Sequence, residues 1–280
     1  DLALDSAGNT TIVGRFTGTV DFDPGVGTFN LTSTPAGSDN SFAAKYDASG
    51  NLLWASRFGG NARNFGPELA TGSDGSVYVT GAFEGTADFG ATILGPSVGS
   101  NDPFVAKLDA DGNFLWARQL TGTYGNGVAV DGAGNVLVMA EDQEGANLDA
   151  IITKLDSSGG TQWTYTVGQS TADRNRKGTA LGWARGFKIA VDGAGNVYGT
   201  GRMDGTVDFD PGTGTTKLSG TGAFVVKLGT AGNLTWARSF KGTIEPRDIA
   251  VDAASNVYTT GGYSGSVDFD PGTGKFNLPS

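Results

Sequence analysis

The sequence predicts an all-β fold, a β-propeller of four-stranded antiparallel blades, on three observations. The chain repeats itself about every 60 residues, from "LALDSAGN" at Leu2 through "LATGSDGS" at Leu69, "VAVDGAGN" at Val128 and "IAVDGAGN" at Ile189 to "IAVDAASN" at Ile249. Within each period, short alternating segments rich in β-branched and aromatic residues are cut by turns containing Gly and Asn, which is the pattern of hairpins. No segment carries the 3.6-residue apolar periodicity of a helix. Four strands in a period of this length point to radial repetition around an axis.

Taken in order, each period opens with an alternating strand such as Ile189 to Asp192, turns through Gly193 to Asn196 and returns from Val197 to Gly201. A loop then leads to a second hairpin: a third strand from Phe104 to Asp109, the turn "DADGN" and a fourth strand from Phe114 to Leu120. The second hairpin recurs as "FAAKYDASGNLLWA" from Phe42, "FVAKLDADGNFLWA" from Phe104, "IITKLDSSGGTQWT" from Ile151 and "FVVKLGTAGNLTWA" from Phe224. The chain therefore reads as one propeller domain, or a fragment of one, with four complete repeats (about 1–67, 68–126, 127–187 and 188–247) and half of a fifth (248–280).

The phrases "IAVDGAGNVYGTG" and "FVAKLDADGNFLWAR" resemble the bacterial β-propeller repeat family called SBBP, over nearly the whole chain. The third repeat departs most, with "QEGANLDA" from Gln143 where others carry an acidic loop. The resemblance implies a secreted or cell-surface location and leaves the biochemical role open. Half a repeat leaves a strand without its partner, an aggregation hazard. The missing strands are therefore expected from a longer chain or a second molecule.

Composition narrows the functions. A net charge of −10 repels polyanions, which argues against nucleic acid. No apolar run approaches the roughly 20 residues of a membrane helix, which argues against insertion. The chain has no Cys and no His, which removes disulfides, thiol nucleophiles, zinc-type sites and the commonest general base. Oxygen ligands remain, so calcium is the candidate metal. The 47 glycines are more than twice average usage, yet 16 Phe, 7 Tyr and 5 Trp supply a core.

The compact turns lie on one face of such a propeller and the longer loops on the other, so function is expected on the long-loop face. Three loops there share one wording, "VDFDPG", with Asp21 and Asp23, Asp208 and Asp210, and Asp268 and Asp270. Strand alternation puts both carboxylates of each loop on one side and the Phe on the other, so the loop is a calcium candidate or a plain bend anchored by its Phe. Asp109, Asp111 and Asn113 echo a calcium loop, but Gly112 stands too early for an EF-hand and a hairpin turn explains the same letters. Trp54, Trp116, Trp163 and Trp236 share one register in the fourth strand and are read as packing between blades; Lys45, Lys107, Lys154 and Lys227 are expected to pair with a nearby Asp.

One connection breaks the pattern. "GQSTADRNRKGTALGWARGFK" from Gly168 concentrates Arg174, Arg176, Lys177, Arg185 and Lys188 and holds Trp183, the one Trp outside the repeated register. Arg and Trp dominate interface hot spots, so Arg174, Arg176, Lys177, Trp183 and Arg185 are the candidate contact for a protein or glycan; a loop that plugs the channel would have the same letters. The function expected is a non-catalytic scaffold at a cell surface. The alternatives are a lectin-like propeller and a carbohydrate-active lyase or glycosidase.

Overall fold

The computed structural model describes residues 1–5, 7–60, 65–98, 101–144, 147–167, 182–212 and 214–280. They form an all-β protein of antiparallel sheets. The chain divides into two compact units, Asp1–Val136 with Asp156–Gly160, and Leu137–Leu155 with Thr161–Ser280.

In the first unit, repeat one contributes β1 (Leu2–Leu4), β2 (Thr10–Phe16), the ribbon β3 (Thr19–Asp21) with β4 (Asn30–Thr32), β5 (Asn40–Tyr46) and β6 (Leu52–Gly60). Repeat two contributes β7 (Phe65–Thr71), β8 (Val77–Phe83), β9 (Ala87–Phe89), β10 (Thr92–Leu94), β11 (Asp102–Leu108) and β12 (Phe114–Gln119). The long strands pair in chain order, β1-β2-β5-β6 and β7-β8-β11-β12, the two-hairpin sheet that the turns predict. Tight turns between sequential strands make this meander the least demanding way to satisfy every ladder. β13 (Tyr124–Val130) opens repeat three beside β7 and β8.

In the second unit, repeat three continues with β14 (Val136–Glu144), β15 (Asn147–Leu155) and β16 (Thr161–Val167). Repeat four follows with β17 (Gly182–Val191), β18 (Val197–Asp208), β19 (Lys217–Ser219), β20 (Gly222–Leu228) and β21 (Leu234–Val251). β21 runs on to become the first strand of repeat five, which adds β22 (Val257–Asp268) and β23 (Asn277–Pro279).

The core sits between successive repeats and is aromatic. Phe104 on β11 lies 4.9 Å from the Phe89 ring and 6.0 Å from that of Phe58, which comes from β6 of the preceding repeat. In the second unit Tyr198, Val225 and Ile249 form the buried centre of an equivalent layer between repeats four and five. Each such ring removes 150–250 Å² from water and contributes most of the cohesion between sheets.

Candidate functional site

The repeated polar residues were the functional candidates, and the structure gives each a set of partners. In the turn after the first strand, Asp192 Oδ1 accepts the N–H groups of Ala194 and Asn196, while Oδ2 accepts the Asn196 side-chain amide at 2.8 Å. The same set recurs at Asp5, Asp47, Asp131 and Asp252. Asp109 also takes the Asp111 and Asn113 N–H groups and the Asn113 amide, so the calcium-like letters there make a hairpin turn.

These bonds set the charge state. Burial pushes the Asp192 carboxyl up, but the bonds from Asn196, Tyr198 and Ser255 outweigh it and hold it near about 2. Lys45 and then Asn9 hold Asp5 well below the usual carboxylate range. Because these folded values lie under the unfolded value of about 3.9, their stabilisation is present above about pH 4 and is lost as pH falls through them, to about 2 for Asp192 and lower for Asp5. With no His, no ordinary side chain titrates between pH 5 and 8. The urea midpoint is therefore expected to be flat from pH 8 to 5 and to fall between pH 4 and 2, with part of that acid slope removed in Asp192→Asn. A midpoint as high at pH 2 as at pH 6 would contradict this.

Three of the four repeated lysines pair with an Asp of their own repeat: Lys45 with Asp5 at 2.9 Å, Lys107 with Asp74 at 3.8 Å and Lys227 with Asp192 at 4.0 Å. Lys107 and Lys227 also lie over the rings of Tyr78 and Tyr198, at 5.1 and 4.9 Å. Each lysine stands opposite the repeated Trp across the third and fourth strands, just before a register shift. The tryptophans reach forward. Trp54 Nε1 donates to Ala110 O at 2.9 Å, Trp116 Nε1 to Ser157 O at 3.1 Å and Trp163 Nε1 to Thr230 O at 3.1 Å, always in the third-to-fourth turn of the next repeat. The expected packing between repeats is what these rings do.

The VDFDPG loops share one geometry. Asp208 Oδ1 accepts the Asp210 N–H at 3.1 Å and the Thr216 N–H at 2.8 Å, and Asp210 Oδ1 accepts the Gly212 N–H at 2.9 Å. Asp21 and Asp23 repeat these bonds to Asp23, Phe29 and Gly25, as do Asp268 and Asp270 to Asp270, Phe276 and Gly272. The other oxygen of Asp23, Asp210 and Asp270 lies over Gly27, Gly214 and Gly274, where an added Cβ would come within 2.1 Å of it. The expectation that both carboxylates project from one strand face needs correction, because β3, β18 and β22 end at the first Asp of each pair. That Asp captures the N–H of the second, which ends the ladder and turns the second into the bend. Of the three loop anchors Phe22 and Phe209 are buried and Phe269 is half-buried; Phe89, in the shortened ADFG loop of repeat two, is buried as well. Among the described residues no cluster of three or more acidic side chains has metal-site geometry.

The basic connection divides in two. Arg174, Arg176 and Lys177 lie outside the described residues, whereas Trp183 and Arg185 belong to β17 rather than to a loop. β17 extends to Gly182 because β18 is long enough to pair with it, Trp183 opposite Asp204 and Arg185 opposite Arg202. The two arginines face each other across the ladder, and each is answered by a neighbouring repeat: Arg185 bonds the buried Glu141 of β14, and Arg202 bonds Glu245 of β21. Arg202 also lies over the Trp183 ring at 5.9 Å. Sequence reading missed both pairs, although Arg185 and Glu245 stand at equivalent first-strand positions, and Glu141 and Arg202 at equivalent second-strand positions. It also missed Tyr165 of β16, whose hydroxyl donates to Phe209 O and whose pKa is pushed up by burial and then by Asp210 and Asp208.

These features define a class, an all-β repeat protein whose polar residues knit each repeat to itself and to the next. No family model matches the chain. It is 30% identical over 158 residues to an uncharacterized WD repeat-containing protein of Acanthamoeba polyphaga mimivirus, covering 49% of this chain and 11% of that protein. It is 28% identical over 163 residues to the regulatory protein FlaEY of Caulobacter vibrioides, covering 51% of this chain and 16% of that protein. The chain thus spans a small part of the length of the curated relatives it matches. A crystal structure of a protein of unknown function from Dyadobacter fermentans superposes with a TM-score of 0.54 at 14% identity, covering 100% of this chain and 81% of the other, a likeness of fold alone.

Proposed function

We propose that the repeats are blades of a β-propeller of the SBBP kind, and that it serves as a non-catalytic scaffold, secreted or at a cell surface, that holds a protein partner. The observation that carries this reading is where the repeated chemistry goes. The turn aspartates, the lysines and the forward-reaching tryptophans, which an enzyme or a lectin with one site per blade would turn toward ligand, are engaged by the blade itself or by the next blade. The mimivirus relative is named as a WD repeat-containing protein, which supports the propeller reading, since WD repeats are propeller blades.

The partner surface proposed is the basic segment with Arg174, Arg176, Lys177 and Trp183; Arg185, expected to belong to it, is engaged by Glu141. A glycan array probed with the wild-type chain and with Trp183→Ala tests it against the lectin-like alternative. The scaffold reading expects no glycan signal; a signal that Trp183→Ala abolishes without moving the melting temperature would replace it with the lectin reading. Incubation with polysaccharides should release no new reducing or unsaturated ends; their appearance would favour the lyase or glycosidase.

For the VDFDPG loops the proposed role is turn closure, with calcium as the alternative. A loop already closed on its own N–H groups needs no ion to hold its shape, so melting temperatures in millimolar calcium and in EDTA are expected to coincide. Extracellular calcium modules bind at roughly 10⁻⁴ to 10⁻³ M, so a real site would raise the melting temperature under these conditions. A rise reversed by EDTA, and cut by about a third when Asp208 and Asp210 both become Asn, would assign ion ligation to three separate sites.

A further inference from the structure

One position in the fold changes charge from repeat to repeat. It is the second-strand residue that follows the one facing the third-strand Phe: Arg15 after Gly14, Ala82 after Gly81 and Arg202 after Gly201. In repeat three the wording "NVLVMAE", set against "NVYGTGR" of repeat four, puts Glu141 at the same place. The first-strand residue across the ladder from this position is Arg185 in repeat four and Glu245 in repeat five, opposite Arg202 and Gly262.

Repeat four therefore sets two arginines directly opposite each other on adjacent strands. Like charges so placed destabilise a sheet, whereas an Arg–Glu pair in the same place would stabilise it. The carboxylates that answer these arginines come from outside their own repeat: Glu141 of repeat three bonds Arg185, and Glu245, in the repeat-five part of β21, bonds Arg202. The Glu141 side chain is 2% exposed, so removing or reversing the charge it meets would strand a buried carboxylate without its guanidinium. Both pairs run from the second strand of one repeat to the first strand of the next, and their polarity is opposite. The junction of repeats three and four reads acid then base; that of repeats four and five reads base then acid.

We infer that Glu141, Arg185, Arg202 and Glu245 are specificity residues whose reversed polarity selects which repeat docks on which. The repeated contacts cannot make that selection, because Trp54, Trp116 and Trp163 each reach the same kind of turn carbonyl in the next repeat. Chains built from near-copies misassemble by docking the wrong copy or by exchanging repeats with a second molecule. The reversal opposes both errors. The second strand of repeat three rejects the first strand of repeat five, since Glu141 would meet Glu245. The second strand of repeat four rejects repeat four of another molecule, since Arg202 would meet Arg185. Repulsion at wrong junctions discriminates where attraction at right ones does not. The two arginines opposed across the ladder are part of the device: an Arg–Glu pair there would satisfy itself inside the repeat and leave no preference for either neighbour.

The test equalises the two junctions without removing either pair. In the 280-residue chain, Arg202→Glu together with Glu245→Arg keeps an Arg–Glu pair at both junctions but gives both the same polarity. Its melting temperature is expected to be no lower than that of wild type. Refolded by dilution from urea over a series of protein concentrations and separated by size, it should return at least about twofold less of the native species than wild type, with a deficit that grows with concentration. Adding Glu141→Arg and Arg185→Glu reverses the other junction too, makes the two different again and should restore wild-type recovery. The double variant Glu141→Arg with Arg185→Glu alone equalises the junctions by the opposite route and should show the same deficit. Wild-type recovery in either double variant overturns the inference, as does a fourfold variant that recovers no better than the doubles. A deficit confined to a variant that melts early assigns the pairs to stability alone and also overturns it.

Discussion

Replacing Phe104 by alanine is expected to lower the stability of the first unit by about 3 to 5 kcal/mol. The ring is 1% exposed and lies within 6.5 Å of the rings of Phe58, Phe83 and Phe89. These neighbours come from the preceding repeat's fourth strand, from the second strand of its own repeat and from the loop anchor, so no single shift of the backbone can close the cavity. The cost therefore includes both lost transfer energy and unfilled volume. Leu53→Ala is the matched control: Leu53 is 51% exposed on β6, and its truncation should change stability by no more than about 0.5 kcal/mol. Urea midpoints of the two variants beside wild type measure this, and a Phe104→Ala cost under about 1 kcal/mol would show that the aromatic layer is not what joins repeats one and two.

A comparison of two glycine substitutions isolates the tryptophan contact between repeats. Gly112 and Gly18 both have positive φ, +83° and +78°, so alanine at either should lose about 1 to 2 kcal/mol to left-handed backbone strain. Their surroundings differ. An added Cβ at Gly18 meets nothing within 4 Å, whereas at Gly112 it would stand 2.5 Å from Cδ2 of Trp54. That ring is held in place by its bond to Ala110 O, so Gly112→Ala should lose a further 1 to 3 kcal/mol, roughly, to overpacking. The excess should vanish in a Trp54→Ala background, where the two glycine changes become equivalent. An undiminished excess there would mean that Gly112 is needed for its own turn and not for the neighbour's ring.

Much of the architecture was written locally. Period-2 alternation and the Asp-x-x-Gly-Asn turns determine the strands and hairpins, because each turn is closed by bonds spanning at most four residues, as from Asp192 to Asn196. The repeat then determines that the long strands of each complete repeat pair in chain order. The lysine pairs and the forward role of the tryptophans were also legible, since a polar or aromatic group repeated in one register must find the same kind of partner each time. The turn character of VDFDPG was legible in part. Its letters allow two carboxylates on one strand face or a bend, and the choice depends on where the ladder stops.

Tertiary structure alone decided the rest. The ladder stops at Asp21, Asp208 and Asp268 because their carboxylates take N–H groups eight residues ahead, in Phe29, Thr216 and Phe276. Trp183 and Arg185 read as loop until β18 proves long enough to hold them in β17. Arg185 with Glu141 and Arg202 with Glu245 are 44 and 43 residues apart, as Trp54 and Ala110 are 56 apart. Such pairs form only after neighbouring repeats have come together, so their identity depends on packing geometry and not on any periodicity within one repeat.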